Sequence, residues 1–140
     1  MKGSKIFIDT NILVYAKIDD GQDKHKLALD FINSNESEII ISAQVLNELY
    51  IAIYKFFKND SSTRNALNSL ITDCRVAPIT LQTSQVAWDI KEKHKFSYWD
   101  SLIISSALEN ECEFLYTEDL QDGQIINSRL TIKNPLKSNV

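Results

Sequence analysis

Four acidic side chains stand where chemistry on a charged substrate would need them: Asp9, Glu48, Asp100 and Asp119. Asp9 directly follows the apolar run Ile6, Phe7 and Ile8, and Asp119 comes just after Phe114, Leu115 and Tyr116. Both runs read as strands buried on two faces of a parallel sheet, and such sheets bind ligands outside the carboxyl ends of their strands. Glu48 lies three residues after Val45 and four before Ala52, on or beside the apolar face of a long helical segment, where a carboxylate is costly to desolvate unless paired or bound to a metal. Asp100 falls in the opening turn of another apolar helix. Each has a simpler reading alone: Asp9 as a helix cap, Asp100 as a partner of the helix dipole, Glu48 reaching the rim or pairing with Lys55.

Brought together, four carboxylates raise one another's pKa, and a hard divalent cation resolves the repulsion. All-oxygen ligands suit Mg2+ or Mn2+, and no Cys or His spacing asks for zinc. A carboxylate-held Mg2+ keeps several waters, lowers the pKa of one, and with a second ion stabilises the leaving oxygen of a displacement at phosphorus. The reaction inferred is hydrolysis of a phosphodiester. Asp119 is the softest position, because Glu118 and Asp122 lie close enough to replace or supplement it, although Asp122 followed by Gly123 also reads as a turn.

The elements that must position these acids alternate along the chain. A first strand over Ile6–Ile8 leads to a short helix from Thr10 to about Lys17, and a turn at Asp19, Asp20 and Gly21 precedes a helix capped by Asp23, with Leu27, Phe31 and Ile32 at helical spacing. Ile39–Ile41 is the second strand. Ser42 caps a long helix to about Lys58 with Val45, Leu49, Ala52, Ile53 and Phe56 on one face. Ser62 or Thr63 starts a helix carrying Ala66, Leu67, Leu70 and Ile71, and Arg75–Ile79 is a short strand. Helices then span about Thr83–Lys95 and Ser97 to about Glu111, Phe114–Tyr116 is a strand, and Leu130–Ile132 adds an edge strand before the tail. The alternation implies a parallel α/β sandwich.

Composition fits one soluble domain over residues 1–140, with 44% hydrophobic and 24% charged residues and few Gly or Pro. No apolar run is long enough to cross a bilayer and the N-terminus lacks a signal-peptide core, so a cytoplasmic protein is expected. Cys74 and Cys112 read as reduced thiols, the second semi-buried. The net charge of −4 argues against a broad basic surface for nucleic acid, but a bound divalent cation would cancel much of the field of a shared acid site, so the acidity disfavours metal-free binding only.

The segments FIDTNILVYA, VLNELY, FSYWDSLIISSA and LYTEDLQDG resemble, in order and spacing, the four acidic motifs of PIN-domain ribonucleases, most of all the toxin component of VapBC-type toxin–antitoxin pairs. The resemblance implies a three-layer α/β/α sandwich with a mainly parallel sheet of four to five strands. It carries Asp9, Glu48 and Asp100 over as metal-binding acids and Asp119 as the fourth, with Thr10 or Asn11 ordering the site by hydrogen bonding. It also implies endonucleolytic cleavage of RNA with Mg2+ or Mn2+, a homodimer, and a cognate antitoxin whose C-terminal segment fills the cleft.

Lys91, Lys93 and Lys95 end a helix where its dipole favours cations, or form an edge that contacts RNA phosphates. Tyr98 and Trp99 adjoin Asp100 and can stack on a base, though one is expected in the core. His25 and His94 read as surface residues rather than general bases. Two other readings compete. An aspartyl-nucleophile phosphatase would use Asp9 but wants a second Asp where Asn11 stands, and a catalytically silent RNA- or protein-binding module would keep the fold without turnover.

Overall fold

In the computed structural model, which describes residues 3–137, the strands are β1 (Lys5–Ile8), β2 (Glu38–Ser42), β3 (Arg75–Ala77), β4 (Phe114–Tyr116), β5 (Ile125–Ile126) and β6 (Leu130–Lys133). They form one sheet in the order β3-β2-β1-β4-β6-β5, parallel throughout except where β5 runs antiparallel to β6. The helices are α1 (Thr10–Lys17), α2 (Asp23–Ser34), α3 (Ala43–Phe57), α4 (Asp60–Asp73), α5 (Leu81–His94) and α6 (Tyr98–Glu109). They flank the sheet as the outer layers of an α/β/α sandwich. Among the described residues no helix is long and apolar enough to cross a membrane.

The sheet is central because its strands have almost no polar inner positions. Ile6, Phe7 and Ile8 are at most 2% exposed, and Ile40, Ile41 and Leu115 on the neighbouring strands are fully buried, as a strand covered on both faces requires. β1 sits between β2 and β4, so whatever follows β1 lies at the middle of the carboxyl edge. Helix starts follow side-chain caps: Ser42 accepts from the Val45 amide, Asn59 from Ser62, Thr80 from Thr83 and Ser97 from Asp100.

Several expectations need correction. Among the described residues the sheet has six strands, not four to five, and Leu130–Ile132 is no edge: it lies between β4 and β5 with Leu130 and Ile132 fully buried. Helix α4 begins at Asp60 because Asn59 takes the cap, and α5 begins at Leu81 because Thr80 caps it while Thr83 closes a reciprocal box. β3 stops at Ala77, short of Ile79. On α2 it is Ala28 that is buried, while Leu27 is exposed; Phe56 and Ile71 are likewise exposed, because the ends of α3 and α4 overrun the core. Cys112 is more buried than expected, and burial pushes its thiol up to about 12 and that of Cys74 up to about 11, so both are poor nucleophiles.

Candidate active site

Residues 9–11 organise the site because the chain turns there from β1 straight into α1. The Asp9 amide extends the β1–β4 ladder, donating to the Tyr116 carbonyl at 2.9 Å. Its side chain caps α1, with Oδ1 accepting from the Thr10 amide at 2.7 Å, so the cap reading of this acid holds as a matter of local structure. Oδ2 accepts from the Thr117 hydroxyl at 2.9 Å. The register Ile8↔Tyr116 puts this contact within reach, since the residues that leave β1 and β4 emerge side by side.

The next two side chains reach outward to other acids. Thr10 Oγ1 donates to Glu48 Oε1 at 2.6 Å, and Asn11 Nδ2 donates to Asp119 Oδ2 at 2.8 Å. Asn11 Oδ1 also accepts from the Glu118 amide at 3.4 Å, and the Asp119 amide donates to Thr117 Oγ1 at 3.2 Å. Asp100 stands in the first turn of α6, whose opening Ser97 fixes.

These elements surround one cavity of about 300 Å3, lined by Asp9, Thr10, Asn11, Glu48, Asp100 and Asp119, with Gln44, Trp99 and Ile103 completing the wall. Asp9 is 7% exposed, and its carboxyl is pushed up to about 6, chiefly by burial and further by the charges of Glu48 and Asp119, against the bonds from Thr117 and Thr10. Asp100 is also raised, first by burial and then by Asp119 and Glu48, with the Ser97 hydroxyl working the other way.

Glu48 lies beside the apolar face of α3, on an exposed flank, and its oxygens go to Thr10 and Gln44 rather than to Lys55. The alternatives to Asp119 are engaged elsewhere: Glu118 takes the Tyr15 hydroxyl at 2.6 Å and Lys24 Nζ at 2.7 Å, and Asp122 takes the Asn134 amide at 2.7 Å. Trp99 lines the cavity and is 62% exposed, with half-buried Tyr98 against it edge to face at 5.3 Å. Lys91 and Lys95 lie instead in a separate open cavity of about 530 Å3 with Trp88, Glu92 and Phe96, and Lys93 is in neither. Both histidines are half-buried rather than on the surface, and neither lines the acid cavity: His25 Nδ1 lies 2.8 Å from the Tyr15 carbonyl, and His94 stacks on Phe96.

Among the described residues no three Asp, Glu, His or Cys side chains close into a ready metal cage. The donor chemistry nonetheless fits a hard divalent cation, because the cavity offers carboxylates, a hydroxyl and amides, and leaves space for the waters that Mg2+ retains. Two contributors were not singled out from the sequence, Thr117 and Gln44. Thr117 was legible in principle from its place after β4, matching that of Asp9 after β1; Gln44 stands one helical turn before Glu48.

A parallel α/β sandwich with an acid-lined cleft at the carboxyl edge of its central strand is the class that fold and site define. The chain belongs to the PIN domain family, whose model matches residues 6–121. No curated protein matches it. Among solved structures, it is similar to the sarcin-ricin-loop-cleaving toxin VapC20 of Mycobacterium tuberculosis, with 21% identity, TM-score 0.69, and coverage of 81% of this chain and 89% of that one. It is also similar to a toxin–antitoxin complex from Klebsiella pneumoniae (19% identity, TM-score 0.72, 95% and 99% coverage). DNA-bound VapBC from Salmonella typhimurium gives 18% identity, TM-score 0.71, and 94% and 98% coverage.

Proposed function

We propose that this chain is a divalent-cation-dependent endoribonuclease and the toxin of a type II toxin–antitoxin pair. The observation that carries the reading is that acids from four separate elements, Asp9, Glu48, Asp100 and Asp119, line one cavity at the sheet's carboxyl edge. Structural relatives that include a sarcin-ricin-loop-cleaving toxin and toxin–antitoxin complexes support it.

In this reading Asp9, Glu48, Asp100 and Asp119 would hold Mg2+ or Mn2+, which would supply an activated water and offset charge at the scissile phosphate. Asp9 is oriented by Thr117 and by the α1 amide, Thr10 orients Glu48, and Asn11 orients Asp119. Neither histidine is needed to move a proton, since neither lines the cavity. Trp99 offers a face on which an RNA base stacks, with Tyr98 bracing it, and Lys91, Lys93 and Lys95 contact phosphates of the flanking strand. The protein acts in the cytoplasm as a homodimer and is held silent by an antitoxin.

The test is incubation of purified protein with total RNA in Mg2+ or Mn2+ and in EDTA, beside Asp9→Asn. Discrete fragments that need both the metal and Asp9 are expected; fragments unaffected by EDTA or by Asp9→Asn would overturn the assignment. A second reading is an RNA- or protein-binding PIN module without turnover, which would use the exposed Trp99 face beside the cavity but not the acids. It predicts RNA retention without fragments under every metal condition.

A further inference from the structure

Gln44 is the cavity residue that neither the acid cluster nor its hydroxyl and amide partners account for. It sits in the first turn of α3, one turn before Glu48, and lines the cavity between α3 and α6. Its Nε2 donates in two directions, to Glu48 Oε2 at 3.4 Å and to the Trp99 carbonyl at 3.4 Å, immediately before Asp100. Both bonds are at the long end of hydrogen bonding, and both acceptors fix the amide orientation, because a flipped amide would set its oxygen against two oxygens. Its Oε1 is buried and has no partner among the described residues.

A half-buried amide with two long bonds from one nitrogen and a buried oxygen left unpaired contributes little to stability. Its value lies in what the donors span. Thr10 already holds Glu48 Oε1 tightly from α1, so the remaining freedom of that carboxylate is a swing of Oε2 toward or away from α6. Gln44 bonds that oxygen and the α6 backbone together, and so ties Glu48 to the start of α6.

We infer that Gln44 is a positioning residue that ties the α3 acid to the start of α6, so that Glu48 and Asp100 serve one cation, acting through Glu48 Oε2 and the Trp99 carbonyl. The inference rests on the divalent-cation reading of the site. Gln44 touches no reacting atom, and no change is expected in which RNA is cut. As with other groups that orient metal ligands, its loss lowers affinity for the ion about 10- to 100-fold.

The experiment measures Mn2+ affinity of the full chain without RNA, by the loss of the free-ion EPR signal, in wild type, Asp9→Asn, Gln44→Met, Glu48→Gln and the Gln44→Met/Glu48→Gln double variant. Methionine keeps the length and packing of glutamine while removing donors and acceptor, and equal melting temperatures in EDTA establish that folding is intact. Gln44→Met is expected to bind Mn2+ at least about tenfold more weakly than wild type. Added to Glu48→Gln it should cost little more, because both changes break one linkage. Wild-type affinity in Gln44→Met overturns the inference while leaving the cation reading in place, provided Asp9→Asn has lost affinity. Fully additive losses in the double variant overturn the route through Glu48. Failure of wild type to bind Mn2+ overturns the cation reading and this inference together.

Discussion

The hydroxyl of Thr10 donates to Glu48 Oε1 at 2.6 Å, joining the first residue of α1 to the middle of α3 across 38 positions of sequence. A carboxylate on an exposed helix flank has many rotamers, and this bond, with the longer one from Gln44, favours the rotamer that faces the cavity. Thr10→Val preserves the branched shape and removes the donor. It should lower metal-dependent cleavage about 10- to 100-fold, with Thr10→Ser restoring most of it. Single-turnover cleavage beside thermal unfolding checks this, and equal loss in the serine variant would contradict a hydrogen-bonding role.

The metal-free protein should carry a pH signature from Asp9. Its carboxyl titrates at about 6 in the fold against an ordinary 3.8, so the folded state holds this proton more tightly than the unfolded chain does. Stability is therefore lost as pH rises from about 4 through about 6, by on the order of 3 kcal/mol when complete. Asn at position 9 removes the titration and is still a competent helix cap. In EDTA, the melting-temperature advantage of Asp9→Asn over wild type should grow from pH 4 to pH 7. A difference that stays flat would show that the buried carboxylate is not a source of strain.

The acids near the end of β4 should divide sharply. Asp119→Asn is expected to reduce cleavage at least about 100-fold, because it faces the cavity and its oxygen is aimed by Asn11. Glu118→Gln should keep activity within about threefold, since Glu118 is spent on Tyr15 and Lys24. Asp122→Asn should behave likewise, as that side chain closes a turn onto the Asn134 amide. Parallel cleavage assays decide, and a strong loss in Glu118→Gln would move the fourth acid one residue back.

RNA recognition should separate by type. Trp99→Ala removes an exposed ring beside the site and should raise KM by about 5- to 150-fold, the range that corresponds to 1–3 kcal/mol of stacking, with kcat changed much less. Replacing Lys91 or Lys95 by Gln should weaken binding across RNA sequences and lower the salt slope by about 0.7 for each phosphate that is no longer neutralised. Among the described residues neither lysine is in an ion pair, so no compensating change in stability is expected. An unchanged salt slope would remove that helix end from the RNA path.

Much of this architecture was legible because local signals agreed with the global fold. Ile6–Ile8, Ile39–Ile41 and Phe114–Tyr116 are short, β-branched or aromatic, and bounded by polar residues, so periodicity and length both read as buried strand. Boundaries were less legible. Asn59 and Thr80 compete with nearby Ser62, Thr63 and Thr83 as caps, and only the hydrogen bonds actually made choose among them. The two-residue strand Ile125–Ile126 has no periodicity of its own and exists because β6 offers it an edge.

By itself the sequence determined which acids were available and that strands ending on acids would present them at one edge of a parallel sheet. Chain order and helical spacing suffice for that. Tertiary structure alone decided how the acids are held: Thr10 on Glu48, Asn11 on Asp119, Thr117 on Asp9, and Gln44 between Glu48 and the start of α6. It also decided that Glu118 turns away to Tyr15 and Lys24. The reason is physical: a side-chain hydrogen bond is won or lost over a few tenths of an ångström, and that precision comes from the packing of elements far apart in sequence.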